Sequence, residues 1–319
     1  MGLIITFEGK GSDIIEKRLM DWELIDDDGT ASDTLVINLD AEGMTNIPES
    51  GRNFKVKLDG HYRGQFQIAD AEEDYDPAVL TLTLTSGKFT VKDATRLREP
   101  KSRTFSNITL AGLVESVMLP HGYEVKVEAQ LADIMLSHVS QEQEDDDEFI
   151  SRIVERHDAI SKPIDGLYIV ATAGNTKALT GEPLAPIFID HEEIVSARLT
   201  HPSKRVYEGV KANWTTAETG EGGEVEVGEA PFYLLRLGYK SEAEARERAN
   251  AKLYSFKRKG QALNLDIQGR GDAFAESPLS IRKPKNKRFG AEWSSDTVTH
   301  RGDRETFKTT IKATRPKGK

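Results

Sequence analysis

The sequence has no cysteine among its 319 residues. That absence excludes a disulfide scaffold, thiolate metal sites and thiol catalysis. It is consistent with a reducing compartment without requiring one. Long apolar runs are missing too: no stretch approaches the roughly twenty continuous apolar residues of a membrane helix. The opening residues, MGLIITFEGKGSD, hold neither a basic leader nor an apolar run of signal-peptide length. The expectation is a chain without a membrane span, made soluble in a cytoplasm. Apolar residues reach only 37% and charged residues 30%, so large areas of each domain should face water or polar partners.

The usual signatures of chemistry are also missing. The seven histidines (His61, His121, His138, His157, His191, His201, His300) are scattered, with no HExxH. His191-Glu192-Glu193 lacks the second histidine four residues on that a zinc site needs. There is no GxSxG elbow. Gly9-Lys10-Gly11-Ser12 lacks both the earlier glycine and the Ser or Thr directly after the lysine that a phosphate loop requires. The acidic run Glu144–Glu148 does not alternate as a calcium loop does; it is assigned to a helix start, where the helix dipole favours negative charge. Trp214 and Trp293 could form sugar-stacking platforms, but lone tryptophans in strand-rich domains are more often core or interface. Arg301-Gly302-Asp303 is assigned to a hairpin turn. No catalytic, cofactor-binding or metal-binding residue is therefore nominated, and no cofactor is expected. Carboxylate pairs stay open, because chance alone brings some to glycosidase distance.

What is present is charge, unevenly spread. Residues 281–319 hold 12 Lys or Arg against 4 Asp or Glu, whereas the other 280 hold 31 against 49. An acidic body argues against general nucleic-acid affinity. The basic end is assigned first to a solvated surface; DNA or an acidic patch on another protein are the alternatives.

Residues 1–99 show period-two runs. Leu35, Ile37 and Leu39 recur, as do Phe54, Val56 and Leu58, Phe66 and Ile68, and Leu80, Leu82 and Leu84 between threonines. Turn signals at Asp28-Gly29, Asp59-Gly60 and Ser86-Gly87 separate them. This is antiparallel sheet with one buried face, a barrel or sandwich.

Residues 100–190 mix helix and strand. TLAGLVESVMLPHGY places Leu110, Leu113, Val114, Val117 and Met118 on one helical face, with Thr109 as cap and Pro120-His121-Gly122 as stop. A strand EVKVE, a linker, the helix DDDEFISRIVERHDA with its stripe Phe149, Ile150, Ile153 and Val154, and a hairpin ISKPI-DG-LYIVA complete it. Residues 191–319 return to strands around one helix, SEAEARERANAKLYSFKRKG. Ser241 and Glu244 are read as its capping box, Glu242–Arg246 and Glu244–Arg248 as surface pairs, and Ala245, Ala249, Leu253 and Phe256 as its apolar face. The tract Thr219–Gly228 reads as a mobile acidic, Gly-rich loop.

The order of these segments resembles the late control protein D family, the tail-hub proteins of contractile-tailed phages. Relatives of that family include the N-terminal hub part of the VgrG spike proteins of type VI secretion. The similarity runs from about Asp33 to Ala313 and continues after the middle through GEPLAPIFI, RVYEGVKANW, ALNLDIQG and WSSDTVTH…FKTTIKA. It departs at the C-terminal end, where a basic stretch, Arg282–Arg288, is read as separating the last two strands. The resemblance implies an α+β, mainly β fold: a first β-barrel over 1–99, a mixed α/β insert over 100–190 and a second barrel over 191–319. It implies a non-enzymatic homotrimer in the virion baseplate, joining a trimeric spike protein to the tail tube or tape-measure protein. The fused spike extension is absent, so the spike is expected as a separate polypeptide. Two other functions fit the sequence: a host-recognition or carbohydrate-binding tail component, and a tail-associated peptidoglycan hydrolase.

Overall fold

The computed structural model describes residues 4–29, 32–87, 95–175, 184–201, 207–216 and 219–316. The chain opens with β1 (Ile5–Glu8), α1 (Ser12–Arg18), β2 (Leu19–Asp27), β3 (Thr34–Asp40), β4 (Asn53–Leu58), β5 (His61–Asp74) and β6 (Val79–Thr85). The period-two residues point to one side. Leu35, Ile37 and Leu39 sit opposite Leu84, Leu82 and Leu80 in register, and all six are buried. Asp59-Gly60 makes the tight turn between β4 and β5, both residues at positive φ, as a hairpin of this length demands.

The middle contains β7 (Lys101–Thr109), α2 (Leu110–Met118), β8 (Glu124–Val127), α3 (Ala129–Ala132), β9 (Met135–Glu144), α4 (Asp146–Glu155), β10 (Ala159–Ile164) and β11 (Leu167–Thr172). The Thr109 hydroxyl accepts from the Gly112 N–H at 3.1 Å. Gly122, at φ 78°, ends the 3-10 turn Leu119–His121 that follows α2, in the left-handed conformation that glycine adopts without strain. Both predicted apolar stripes are buried in one core. The segment read as a linker is not one. Residues 135–144 form β9, which pairs with β7 as a two-stranded ribbon. Only Leu136, Val139 and Gln141 are buried along β9, too few to give a period-two signal.

The last part holds β12 (Ile187–Asp190), β13 (Ile194–Thr200), β14 (Gly209–Thr215), β15 (Gly222–Gly228), β16 (Phe232–Leu234), α5 (Glu242–Arg258), β17 (Ala262–Gln268), β18 (Pro278–Arg282), β19 (Trp293–Asp303) and β20 (Phe307–Thr314). The fold is mainly β, around one large curled antiparallel sheet. That sheet runs β1-β4-β5-β6-β3-β2-β19-β20-β17-β13, with β12 and β18 attached beside it. The two strand-rich regions thus share a ladder through β2 and β19, from Asp27↔Thr297 to Asp21↔Asp303. They keep separate cores, one under β1–β6 and one under β12, β13 and β17–β20.

Three further expectations change. The Gly-rich tract contains β15, which pairs with β14 in a small sheet, β15-β14-β16, covered by α5. Val225 and the cross-strand pairing of Lys211 with Glu224 and Glu226 hold it, so glutamate repulsion is neutralised locally. Residues 217 and 218 lie outside the described residues. The basic stretch falls between β18 and β19, one strand earlier than expected. Arg301 and Gly302 are strand residues, and the turn itself spans Asp303–Thr306, where Asp303 Oδ1 accepts from the Thr306 N–H at 2.8 Å.

Candidate functional site: a buried charge junction and its surroundings

None of the histidines assembles a metal or nucleophile site. His300 is buried, bonded to Thr309 and the Ala273 carbonyl, and burial beside Arg63 lowers its pKa to about 3. His157 meets Glu247 at 2.7 Å, and His138 lies near Ser106 and Ser140. Among the described residues no group of three potential metal ligands occurs. Trp293 is core, 1% exposed, with its indole N–H donating to the Phe289 carbonyl. Trp214 packs partly buried against the α5 layer. Neither tryptophan offers an open platform.

Two groups of buried charge stand out. The first lies at the start of α4, within the mixed region. Asp145 caps the helix through the Glu148 N–H at 2.8 Å, as the acidic run predicts. The neighbours of Asp146 were not legible. Its carboxylate receives Lys101, Arg103, Gln141 and His121, drawn from β7, the turn after α2, and β9. Burial works against its charge, yet hydrogen bonds from Lys101, Gln141 and His121 hold its pKa below the ordinary carboxylate range.

The second group joins three regions of the chain. Asp26 on β2 meets Arg63 on β5 at 2.9 Å and Lys162 on β10 at 3.3 Å, and accepts from the Ala275 N–H at 3.1 Å. Arg63 also donates to the Ala273 carbonyl at 2.8 Å and stacks over Phe274. Lys162 reaches Asp33 at 3.3 Å, Glu276 at 3.8 Å and the Asp27 carbonyl at 2.7 Å. Close packing seals the seam: a Cβ on Gly271 would stand 2.6 Å from Asp59 Cβ and the Leu58 carbonyl oxygen. Burial opposes ionisation of Asp26, but Lys162 and Arg63 keep its pKa low. The surrounding carboxylates go the other way. Burial, then Asp27 and Asp296, push Asp28 to about 7. Burial also raises Glu276 to about 7, and Asp33 and Asp296 to about 6, against partial relief from Lys162, Thr314 or Arg258. This constellation ties β2, β5, β10 and the loop before β18 together.

At the ends of the large sheet, β1 pairs only with β4 and β13 only with β17 among the described residues. β13 is exposed on both faces along most of its length, with Val195 65% exposed. Sequence periodicity marked neither strand as an edge.

No protein-family model matches the chain. It is 23% identical to the probable baseplate hub protein of Escherichia phage P2, over 93% of this chain and 88% of that protein. It is likewise 23% identical to the probable baseplate hub protein of Escherichia phage 186, over 92% and 87%. The fold is similar to that of the 43 kDa tail protein of prophage MuSo2 from Shewanella oneidensis. There the TM-score is 0.71, with 14% identity and 98% of both chains covered. It is also similar to a type VI secretion system component of E. coli, with a TM-score of 0.60, 9% identity, and 95% of this chain and 74% of that one covered. The similarity read from the order of helices and strands is thus present in sequence relatives and in fold: along nearly its whole length the chain resembles the baseplate hub proteins of contractile-tailed phages.

Proposed function

We propose that this chain is a structural baseplate hub of a contractile phage tail or phage-like particle, and not an enzyme. The observation that carries this is the full-length likeness to two phage hub proteins. In the finer form of the proposal, residues 1–99 and 191–319 are two tube-like units flanking the mixed region 100–190. Three copies form a ring that joins the tail tube or tape-measure protein to a trimeric spike. Two features support a ring. Among the described residues the edge strands β1 and β13 end the same sheet, and unpaired sheet edges need covering. A contact between unlike surfaces closes only by cyclic symmetry. The burial of Trp293 weighs against carbohydrate recognition. Native mass measurement of the purified chain, with and without the spike protein, tests the reading: a mass of three chains supports it. A monomer at high concentration, unchanged by the spike, overturns it. Clearing of peptidoglycan by the purified chain, lost on changing one Asp or Glu, would overturn the non-enzymatic part.

A further inference from the structure

A cleft of about 500 Å3 lies between the mixed region and the α5 layer. Arg156, just beyond α4, stands on one wall; Arg248 and Lys252 of α5 stand on the other, with Tyr233, Leu237 and Tyr239 beside them. Six cations line it against four acids, and two of the six stand out. Neither the Arg156 nor the Arg248 side chain makes a hydrogen bond or ion pair among the described residues, and Arg248 Nη1 is buried without a partner. Lys252 rests over the rings of Tyr233 and Phe256 instead of a carboxylate. Among the acids, Asp158 pairs with Arg258 at 3.0 Å, Glu244 accepts from the Lys240 N–H at 3.1 Å and Glu247 meets His157 at 2.7 Å, while Asp28 and Glu155 also line the cleft. Burial holds both guanidinium groups below arginine's ordinary pKa, despite the nearby acids. Partly desolvated cations without a direct partner are costly, and cations outnumber acids along the cleft, so the site suits an acidic ligand with an aromatic body.

The chain itself carries such a segment. The β5–β6 hairpin ends in Glu72-Glu73-Asp74-Tyr75-Asp76, all exposed. Tyr75 is 99% exposed, and none of the four carboxylates has an ion pair among the described residues. An unsupported tyrosine inside an acidic tip gains by burial against other aromatic rings.

We propose that the acidic tip of one copy's β5–β6 hairpin seats in the cationic cleft of a second copy. Tyr75 packs against Tyr233, Tyr239 and Leu237, and the tip carboxylates face Arg156 and Arg248. The second copy is the occupant because the tip stands free in solvent within a single chain, while its charge complements the cleft. The contact joins unlike surfaces, so every copy gives one tip and one cleft, as a ring requires. The proposal rests on the trimeric reading and names one of its contacts.

The absence of cysteine makes the test specific. Full-length chain bearing Tyr75→Cys and Leu237→Cys has two thiols only. On oxidation it should give disulfide-linked oligomers up to three chains on a denaturing gel, reversed by reductant. Adding Arg248→Glu should cut that yield by about tenfold, equivalent to ~1.4 kcal/mol, and Glu73→Arg should restore it. If native mass shows three chains but no linkage forms, or linkage ignores Arg248→Glu, the contact is wrong and the trimer stands. Linked pairs from Tyr75→Cys alone would show that tips meet tips, and a disulfide within one chain would place the tip in its own cleft; either overturns the proposal. A persistently monomeric native mass, with the spike protein present, removes both the contact and the trimer.

Discussion

The two buried charge groups differ in what surrounds a fully enclosed carboxylate. Around Asp146, donors predominate: Lys101, Arg103, Gln141 and His121 converge on one acid. Around Lys162, acids predominate: Asp26, Asp33 and Glu276 converge on one ammonium. Burial is nearly complete in both, since Asp146 is 0% and Asp26 7% exposed. Titration therefore follows the census of neighbours, and not burial alone. Their structural tasks differ as well. The Asp146 group draws its residues from one region and fixes the mixed core. The Lys162 group draws from β2, β5, β10 and the loop before β18, and so sets how three regions meet.

Of the two charge groups, the larger effect should come from Lys162→Met. It leaves Asp26, Asp33 and Glu276 without their shared cation, and unpairing a buried charge costs about 3–5 kcal/mol. Chemical denaturation should show that loss. Asp146→Asn should cost less, about 1–3 kcal/mol. Its partners Lys101 and Arg103 have side chains 26% and 34% exposed, so water can take over part of the vacated role. Equal losses for the two variants would break the contrast. Phe149→Ala serves as the apolar reference: the ring is fully buried and stacked on Phe105, and its loss should cost about 3–5 kcal/mol. An unchanged melting temperature with failed assembly would move Phe149 from core to interface.

pH should separate the groups by sign. Asp28 and Glu276 titrate at about 7 in the folded chain, Asp33 and Asp296 at about 6. All lie above the unfolded value of about 4. The folded state then binds more protons, so their contribution is favourable at low pH and is lost as pH rises through 6 to 7. Asp26 and Asp146 are depressed; theirs is present above about 4 and is lost as pH falls below it. Melting temperature should therefore decline clearly between about pH 5.5 and 8, with ΔΔG on the order of 5 kcal/mol summed over the four groups. Asp28→Asn with Glu276→Gln should flatten that decline. A wild-type melting temperature that climbs steadily over the same range would contradict the assignment of excess acid to the junction.

The sequence made one half of this comparison partly visible and left the other hidden. Local signals were legible because their physics is local: Thr109 caps α2, Ser241 caps α5 through the Glu244 N–H, and Asp145 caps α4. Alternation at Leu80, Leu82 and Leu84 revealed a buried sheet face for the same reason. Glu244 was only half legible: it reaches back to the Lys240 N–H, and Arg248 is left to the cleft. The junction could not be read, since Asp26 and Ala275 are 249 positions apart and nothing in either neighbourhood names the other. The sheet continuity through β2 and β19 was hidden in the same way. β15 was missed for a different reason: its glycines and glutamates read as loop until Lys211 is placed across from them.

The smallest effect supplies the control for the whole contrast. Glu242 and Arg246 form an i,i+4 pair on α5 at 2.7 Å, with side chains 55% and 52% exposed. The distance is as short as that between Asp26 and Arg63, yet water surrounds both partners and competes for each. Removing such a pair costs only about 0.3–0.5 kcal/mol. Glu242→Ala should thus lower stability by that amount at low ionic strength and by almost nothing at 1 M salt, where the screening length is about 3 Å. Lys162→Met should keep nearly its full penalty at either salt concentration, because ions do not reach the junction. Denaturation of both variants at two salt concentrations decides it. If the surface variant were as damaging as the buried one, or both effects faded equally with salt, burial would not set the strength of these pairs.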